Sequence, residues 1–193
     1  MILKICGITN AEDAQAAIAA GATAIGFNFY PGSPRYIAPQ RAAGIPTPGV
    51  RRVGVFVNEA PARIAEIARI AALDTAQLHG DEPPTGYPGG LTVWKAIRVT
   101  EGFSLAQYAG LPAEALLLDG LSSGETFDWN LAASGTQRLI LAGGLDADNV
   151  ARAISLVHPW GVDVCSRIES APGLKDHKRM SAFLQAARKA LLA

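Results

Sequence analysis

One pattern constrains this chain more than any other. A short apolar run rich in Val, Ile and Leu is followed by a polar or glycine-containing turn and then an alanine-rich helical stretch, and the unit recurs along the whole sequence. Strand candidates fall at 3–6, 24–28, 52–57, 75–78, 93–97, 115–119, 138–142 and 162–165. Their spacing suits one strand, one helix and two loops each. Buried aliphatic strands alternating with helices form a parallel sheet covered by helices. Eight such units predict a closed α/β structure, a single compact (β/α)8 TIM barrel over residues 1–193. Such a barrel is shorter than the usual length of about 250 residues.

The helical stretches carry their own signals. Asn10 can cap a helix running to Ala20, with Glu12 and Asp13 in its first turn and Gly21 just past its end. Pro61 suits the opening of a helix on which Ile64, Ile67, Ala68 and Ala71 form one apolar stripe. From Asp176 onward, Met180, Phe183, Leu184, Ala187 and Leu191 share a face. Two units are degenerate. The stretches after strands 4 and 5 hold too many Pro and Gly residues for full helices.

Hydrophobic residues make up 49% of the chain, enough for a sizeable core, while aromatics are only 7%, so aliphatics and alanine must fill most of it. Lys+Arg and Asp+Glu both number 17, a balance that argues against nucleic acid or an anionic membrane as the main partner. The first ten residues lack a signal-peptide pattern, and no apolar run approaches the ~20 residues of a membrane span. Two distant cysteines make neither a disulfide framework nor a zinc pattern. A cytoplasmic enzyme or binding protein for a small molecule is therefore expected.

In a barrel of this kind the chemistry sits at the C-terminal strand ends. Cys6, Asn28, Asn58, His79, Arg98 and Asp119 fall there, as do the Gly143–Gly144 pair and the run Cys165, Ser166, Arg167. A cysteine after an apolar strand is often inert core, and an aspartate at a strand end often caps a turn. Arg35 can be a solvated loop charge, Gly143 and Gly144 an ordinary turn, and His79 a core histidine. Asn58 can cap the helix beginning near Pro61.

Seven fragments in order, "KICGIT", "GFNFYPGSPRYI", "VGVFVNEAP", "QLHGDE", "LLLD" with "FDW", "LAGGLDADNV" and "GVDV" with "APG", resemble those of phosphoribosylanthranilate isomerases. The resemblance spans the chain from Lys4 to the last helix. It implies a barrel enzyme of tryptophan biosynthesis that performs an Amadori rearrangement with one acid and one base and no metal or cofactor. By that resemblance Cys6 is the general base and Asp119 the general acid. Arg35 holds the anthranilate carboxylate, and His79 is a positioning residue near the pocket. Gly143 and Gly144, with Ser166 and Arg167 after strand 8, bind phosphate. A related histidine-pathway isomerase would carry aspartate at position 6, and a barrel that only binds its ligand would need neither Cys6 nor Asp119. Relatives of this family include monomers and homodimers.

The chain departs from the family in two places. Arg167 stands where relatives carry glycine, and its guanidinium is expected either to pair with the substrate phosphate or to point to solvent while the backbone is retained. The loop after Asp119 is several residues shorter than in relatives. Side-chain alternation adds one inference: if Cys6 faces the interior, so does Lys4. On strand 8, Asp163 and Cys165 form the matching inward set, and Asp163 is expected among the substrate-binding residues. Closure of the barrel then predicts an interior Lys4–Asp163 ion pair and a Cys165 close to Cys6, within reach of a disulfide on oxidation.

Overall fold

The computed structural model describes residues 1–120, 124–133 and 137–192. Eight parallel strands close into a barrel in chain order. They are β1 (Ile2–Ile5), β2 (Ala24–Asn28), β3 (Arg51–Phe56), β4 (Thr75–Leu78), β5 (Thr92–Arg98), β6 (Ala115–Asp119), β7 (Leu139–Leu141) and β8 (Gly161–Val164). Closure is made by β1 against β8, with Ile2 opposite Gly161, Lys4 opposite Asp163 and Ile5 opposite Val164. Gly161 is needed at that seam, because a Cβ there would lie 2.7 Å from Cβ of Ile2.

Period-two alternation divides the strands' side chains into two layers. Ala24, Val53, Trp94, Ala96, Ala115, Leu117, Ile140 and Ala142 fill the barrel interior. Four alanines leave room for one large plug, the fully buried Trp94. Its indole N–H donates to Glu114 at 2.9 Å, and its ring meets Trp160 edge to face. Outward-facing Ile, Leu, Val and Phe residues pack instead against the helices.

The covering helices are α1 (Ala11–Ala19), α2 (Pro39–Ala43), α3 (Pro61–Ala71), α4 (Val150–Val157) and α5 (His177–Ala190). Asn10 caps α1 by accepting from the Asp13 amide at 2.8 Å, and Asp176 caps α5 through the amides of Lys178 and Arg179. Ile64, Ile67, Ala68 and Ala71 of α3 are all buried. On α5 the apolar face ends at Ala187. Leu191 lies past the last helical turn and is exposed, so the stripe is one turn shorter than its spacing suggests.

After β4 and β5 the chain makes only short 3₁₀ turns, Pro84–Gly86 and Leu105–Tyr108, in line with their Pro and Gly content. The unit after β6 is degenerate as well. Its described part holds a single 3₁₀ turn, Trp129–Ala132, started by the Asp128 carboxylate accepting from the Asn130 amide. A further device follows β8. A hairpin of β9 (Glu169–Ala171) and β10 (Leu174–Lys175) precedes α5 and folds back over the mouth beside β1. Thr9 ties it down by donating its hydroxyl to the Gly173 carbonyl at 2.6 Å. No described helix is long and apolar enough to cross a membrane.

Candidate active site

The polar strand-end residues converge at the C-terminal mouth. A cavity of about 210 Å³ is lined there by His79, Asp119, Gly143, Gly144, Asp163 and Arg167, among others. A larger cavity of about 660 Å³ adjoins it and shares His79 and Arg98.

Cys6 follows β1, its amide donating to the Val164 carbonyl at 2.9 Å. The residue after it, Gly7, has a left-handed backbone (φ +72°), and a Cβ there would lie 2.7 Å from Cδ of Arg35. Glycine is thus required for the chain to turn sharply past the thiol. The Cys6 thiol is held well below its usual range. The neighbouring Cys165 contributes most to this and the charge of Lys4 adds to it, against the upward push of burial.

Lys4 is fully buried and pairs with Asp163, Nζ to Oδ1 at 2.9 Å. Burial pulls the Lys4 ammonium down, but Asp163 and Cys6 together hold it charged. Burial pushes the Asp163 carboxyl up to about 7, opposed by Lys4. The interior pair follows from alternation and closure. Its existence also limits Asp163, whose near oxygen is occupied by Lys4 rather than offered to a ligand.

Asp119 ends β6. Burial raises its carboxyl, opposed by His79 and by the Gly120 amide, and the nearby Cys6 adds to the rise. His79 Nε2 lies 3.5 Å from Asp119 Oδ2, and burial lowers the imidazole, favouring its neutral form. The Gln77 amide, 3.4 Å from Nδ1, steadies the ring from the other side. A Cβ on Gly143 would sit 2.5 Å from the Gly120 amide nitrogen and 2.7 Å from Asp119 Oδ1. The loop after β7 therefore presses directly on the acid's turn, which only a glycine with positive φ allows.

Arg35 is held by Glu169, which accepts from Nε at 2.9 Å and from Nη2 at 2.6 Å. Glu169 also accepts from Lys175 Nζ at 2.8 Å and from the Gly173 amide at 3.2 Å. The guanidinium is therefore fixed along one edge. Nη1 has no protein partner among the described residues. Ser166 and Arg167 open the short 3₁₀ turn after β8, and Arg167 Nε donates to the Gly124 carbonyl at 3.0 Å, tying that turn to the loop after β6. Positions 121–123 of that shortened loop lie outside the described residues.

Asn58 does not cap α3; Ala60 occupies that position. Asn58 instead adopts a left-handed backbone and accepts from the Asp81 amide at 2.8 Å, joining the loops after β3 and β4. Two residues gain a place at the site that their positions alone do not assign: Glu169 and Lys175 form a buried pair behind Arg35. Arg98, at the end of β5 as its position predicts, lines both cavities.

Fold and site together define a (β/α)8-barrel enzyme with a thiol held below its usual range after β1 and a carboxyl that burial pushes up at the end of β6. The chain belongs to the N-(5′-phosphoribosyl)anthranilate isomerase family, whose model matches residues 3–186. The isomerase of that name from Solibacter usitatus is 68% identical over 197 residues, covering 99% of each chain. A structure of monomers derived from the dimeric phosphoribosylanthranilate isomerase of Thermotoga maritima superposes with a TM-score of 0.90 at 41% identity, covering 98% of this chain and 100% of that one. Another isomerase structure, in complex with reduced 1-(o-carboxyphenylamino)-1-deoxyribulose 5-phosphate, gives a TM-score of 0.87 at 40% identity over 98% and 100% of the two chains.

Proposed function

We propose that this chain converts N-(5-phospho-D-ribosyl)anthranilate into 1-(2-carboxyphenylamino)-1-deoxy-D-ribulose 5-phosphate in tryptophan biosynthesis, with Cys6 as base and Asp119 as acid. One observation carries the assignment of roles. A thiol held below its usual range and a carboxyl held above its own share one mouth, on β1 and β6. Environments that move two groups in opposite directions mark the acid and the base.

Asp119 donates its proton to the ribose ring oxygen as the C1′–O bond breaks, and the anilino nitrogen lone pair forms the iminium. The Cys6 thiolate then removes the C2′ proton, and the C–H electrons neutralise the iminium to give an enolamine. Return of the proton from Cys6 to C1′, and loss of the 2′-hydroxyl proton to Asp119, yield the ketone and restore both groups. The free Nη1 of Arg35 is the donor offered to the anthranilate carboxylate, with Glu169 keeping the guanidinium in place. Gly143, Gly144, Ser166 and Arg167 receive the phosphate. Two free thiols at the site suit a reducing compartment, the cytoplasm.

The test is turnover of the anthranilate adduct, followed by loss of its fluorescence; wild-type protein that leaves the adduct unchanged would refute the activity. Arg167→Gly separates two uses of that side chain. A phosphate contact predicts a rise in KM of about tenfold, the worth of one charge-assisted hydrogen bond, with little change in kcat. An unchanged KM would confine Arg167 to bracing the Gly124 loop.

A further inference from the structure

We propose that Asn149 is a positioning residue for the substrate phosphate, holding the Gly144–Leu145 peptide so that its N–H stays turned to the anion. The inference rests on the reading of the Gly143–Gly144 loop as the phosphate site. Both glycines have positive φ, +74° and +63°, in the loop after β7. Two successive glycines give the backbone its widest freedom, so nothing within the loop itself keeps a peptide from turning over. The anchor must come from outside it.

Asn149 supplies that anchor. It stands at the start of α4, where asparagine is among the best helix caps. Its side chain nevertheless bonds to none of the helix's own amides. Its Nδ2 instead donates to the Gly144 carbonyl at 2.9 Å, and its Oδ1 accepts from the Asp146 amide at 3.0 Å. Asp146 returns the hold, its Oδ1 accepting from the Asn149 amide at 3.1 Å and from the Asp148 amide at 3.0 Å. The side chain that grips Gly144 is therefore itself fixed.

Peptide planarity carries that grip to the cavity. In a trans peptide the Gly144 C=O and the Leu145 N–H point in opposite directions. A carbonyl drawn toward the start of α4 therefore sends the N–H away from it. Leu145 lines the smaller cavity together with Gly143 and Gly144. Its side chain packs in the core beneath the helices, so its backbone is what faces that cavity. Among the described residues, no acceptor meets the amides of Gly143, Gly144 or Leu145. Buried backbone donors ordinarily have a partner, and successive amides of this kind make anion-binding concavities.

The experiment compares wild type, Asn149→Asp and Asn149→Ala by KM, kcat and the inhibition constant of inorganic phosphate, all at one ionic strength. Aspartate still accepts from the Asp146 amide and suits the start of a helix, but it has no donor for Gly144. Alanine removes the donor without adding charge. Both variants are expected to raise KM and the phosphate inhibition constant about tenfold, the loss of one hydrogen bond to a charged group, with kcat within about twofold of wild type. A residue that served only the fold would lower the melting temperature and leave both constants alone. Unchanged constants in Asn149→Asp would overturn the proposal, as would a rise with aspartate and none with alanine, the mark of charge repulsion. Should Asn149→Ala fail to fold, salt decides on the aspartate variant. A rise over wild type that persists at high ionic strength supports the lost donor, and one that disappears is repulsion and counts against it. Inorganic phosphate that fails to compete with the adduct in wild type would instead remove the reading of this loop as the phosphate site.

Discussion

Asp119→Asn and Cys6→Ser are each expected to lower kcat/KM by about 10²–10⁴-fold, the usual contribution of a positioned acid or base. Asparagine keeps the size and hydrogen-bonding capacity of Asp119 but has no proton to give the ring oxygen. Serine keeps the shape of Cys6 while its hydroxyl stays protonated at any working pH. Both groups act on bonds that change only in the transition state, so kcat should fall with kcat/KM and KM should move little. The double variant should lose less than the product of the two single losses, because each group is idle without the other. The pH profile has a defined sense. Activity falls on the acid side as Cys6 takes up its proton, and the depressed thiol moves that limb down. It falls on the alkaline side as Asp119 ionises, and the raised carboxyl moves that limb up. Steady-state adduct fluorescence across pH measures all of this; activity within about threefold of wild type in either variant, far below the expected loss, would sink the assignment.

How far the sequence reveals this arrangement depends on the range of each interaction. The strands read directly, because a two-residue period and a 20–30-residue recurrence are local. Their edges shift by a residue or two where pairing decides: β1 begins at Ile2 because its amide bonds to Trp160, and β7 shrinks to three residues. The Lys4–Asp163 pair spans 159 positions, yet alternation and ring closure together place it. Arg35 and Glu169, 134 apart, could not be paired in the same way. Their meeting depends on the β9–β10 hairpin, which lies outside the repeating strand–helix unit. Asn58 shows the limit of local signals. An asparagine three residues before Pro61 looks like a cap, but the Asp81 amide across the mouth takes its side chain. Leu191 likewise fits the stripe of α5 until the helix ends beneath it.

Lys4→Met carries the largest expected effect on stability, about 3–5 kcal/mol, because it strands the Asp163 carboxylate in the barrel interior. Methionine fits the lysine stem, so little packing is lost and the cost is electrostatic. The loss depends on pH in a direction fixed by Asp163. Its folded carboxyl already sits at about 7, above its unfolded value, and removing Lys4 takes away the charge that opposes the rise. A group raised in the folded state gives stability that is intact below the unfolded value and lost as pH rises through the folded one. The variant should therefore approach wild type near pH 5 and fall furthest behind above pH 8, where Asp163 must ionise unpaired or stay protonated at a cost. Urea unfolding at the two pH values measures the difference. Replacing both partners, Lys4→Met with Asp163→Leu, should recover most of the loss, since an apolar pair of similar volume replaces a buried ion pair at little cost. The activity of that double variant is then informative by itself. With the fold restored and the Lys4 charge still missing, the acidic limb of kcat/KM should move up, because Lys4 is one of the charges that keep Cys6 ionised. A stable double variant with an unmoved limb would leave that task to the other groups around Cys6, Lys175 among them.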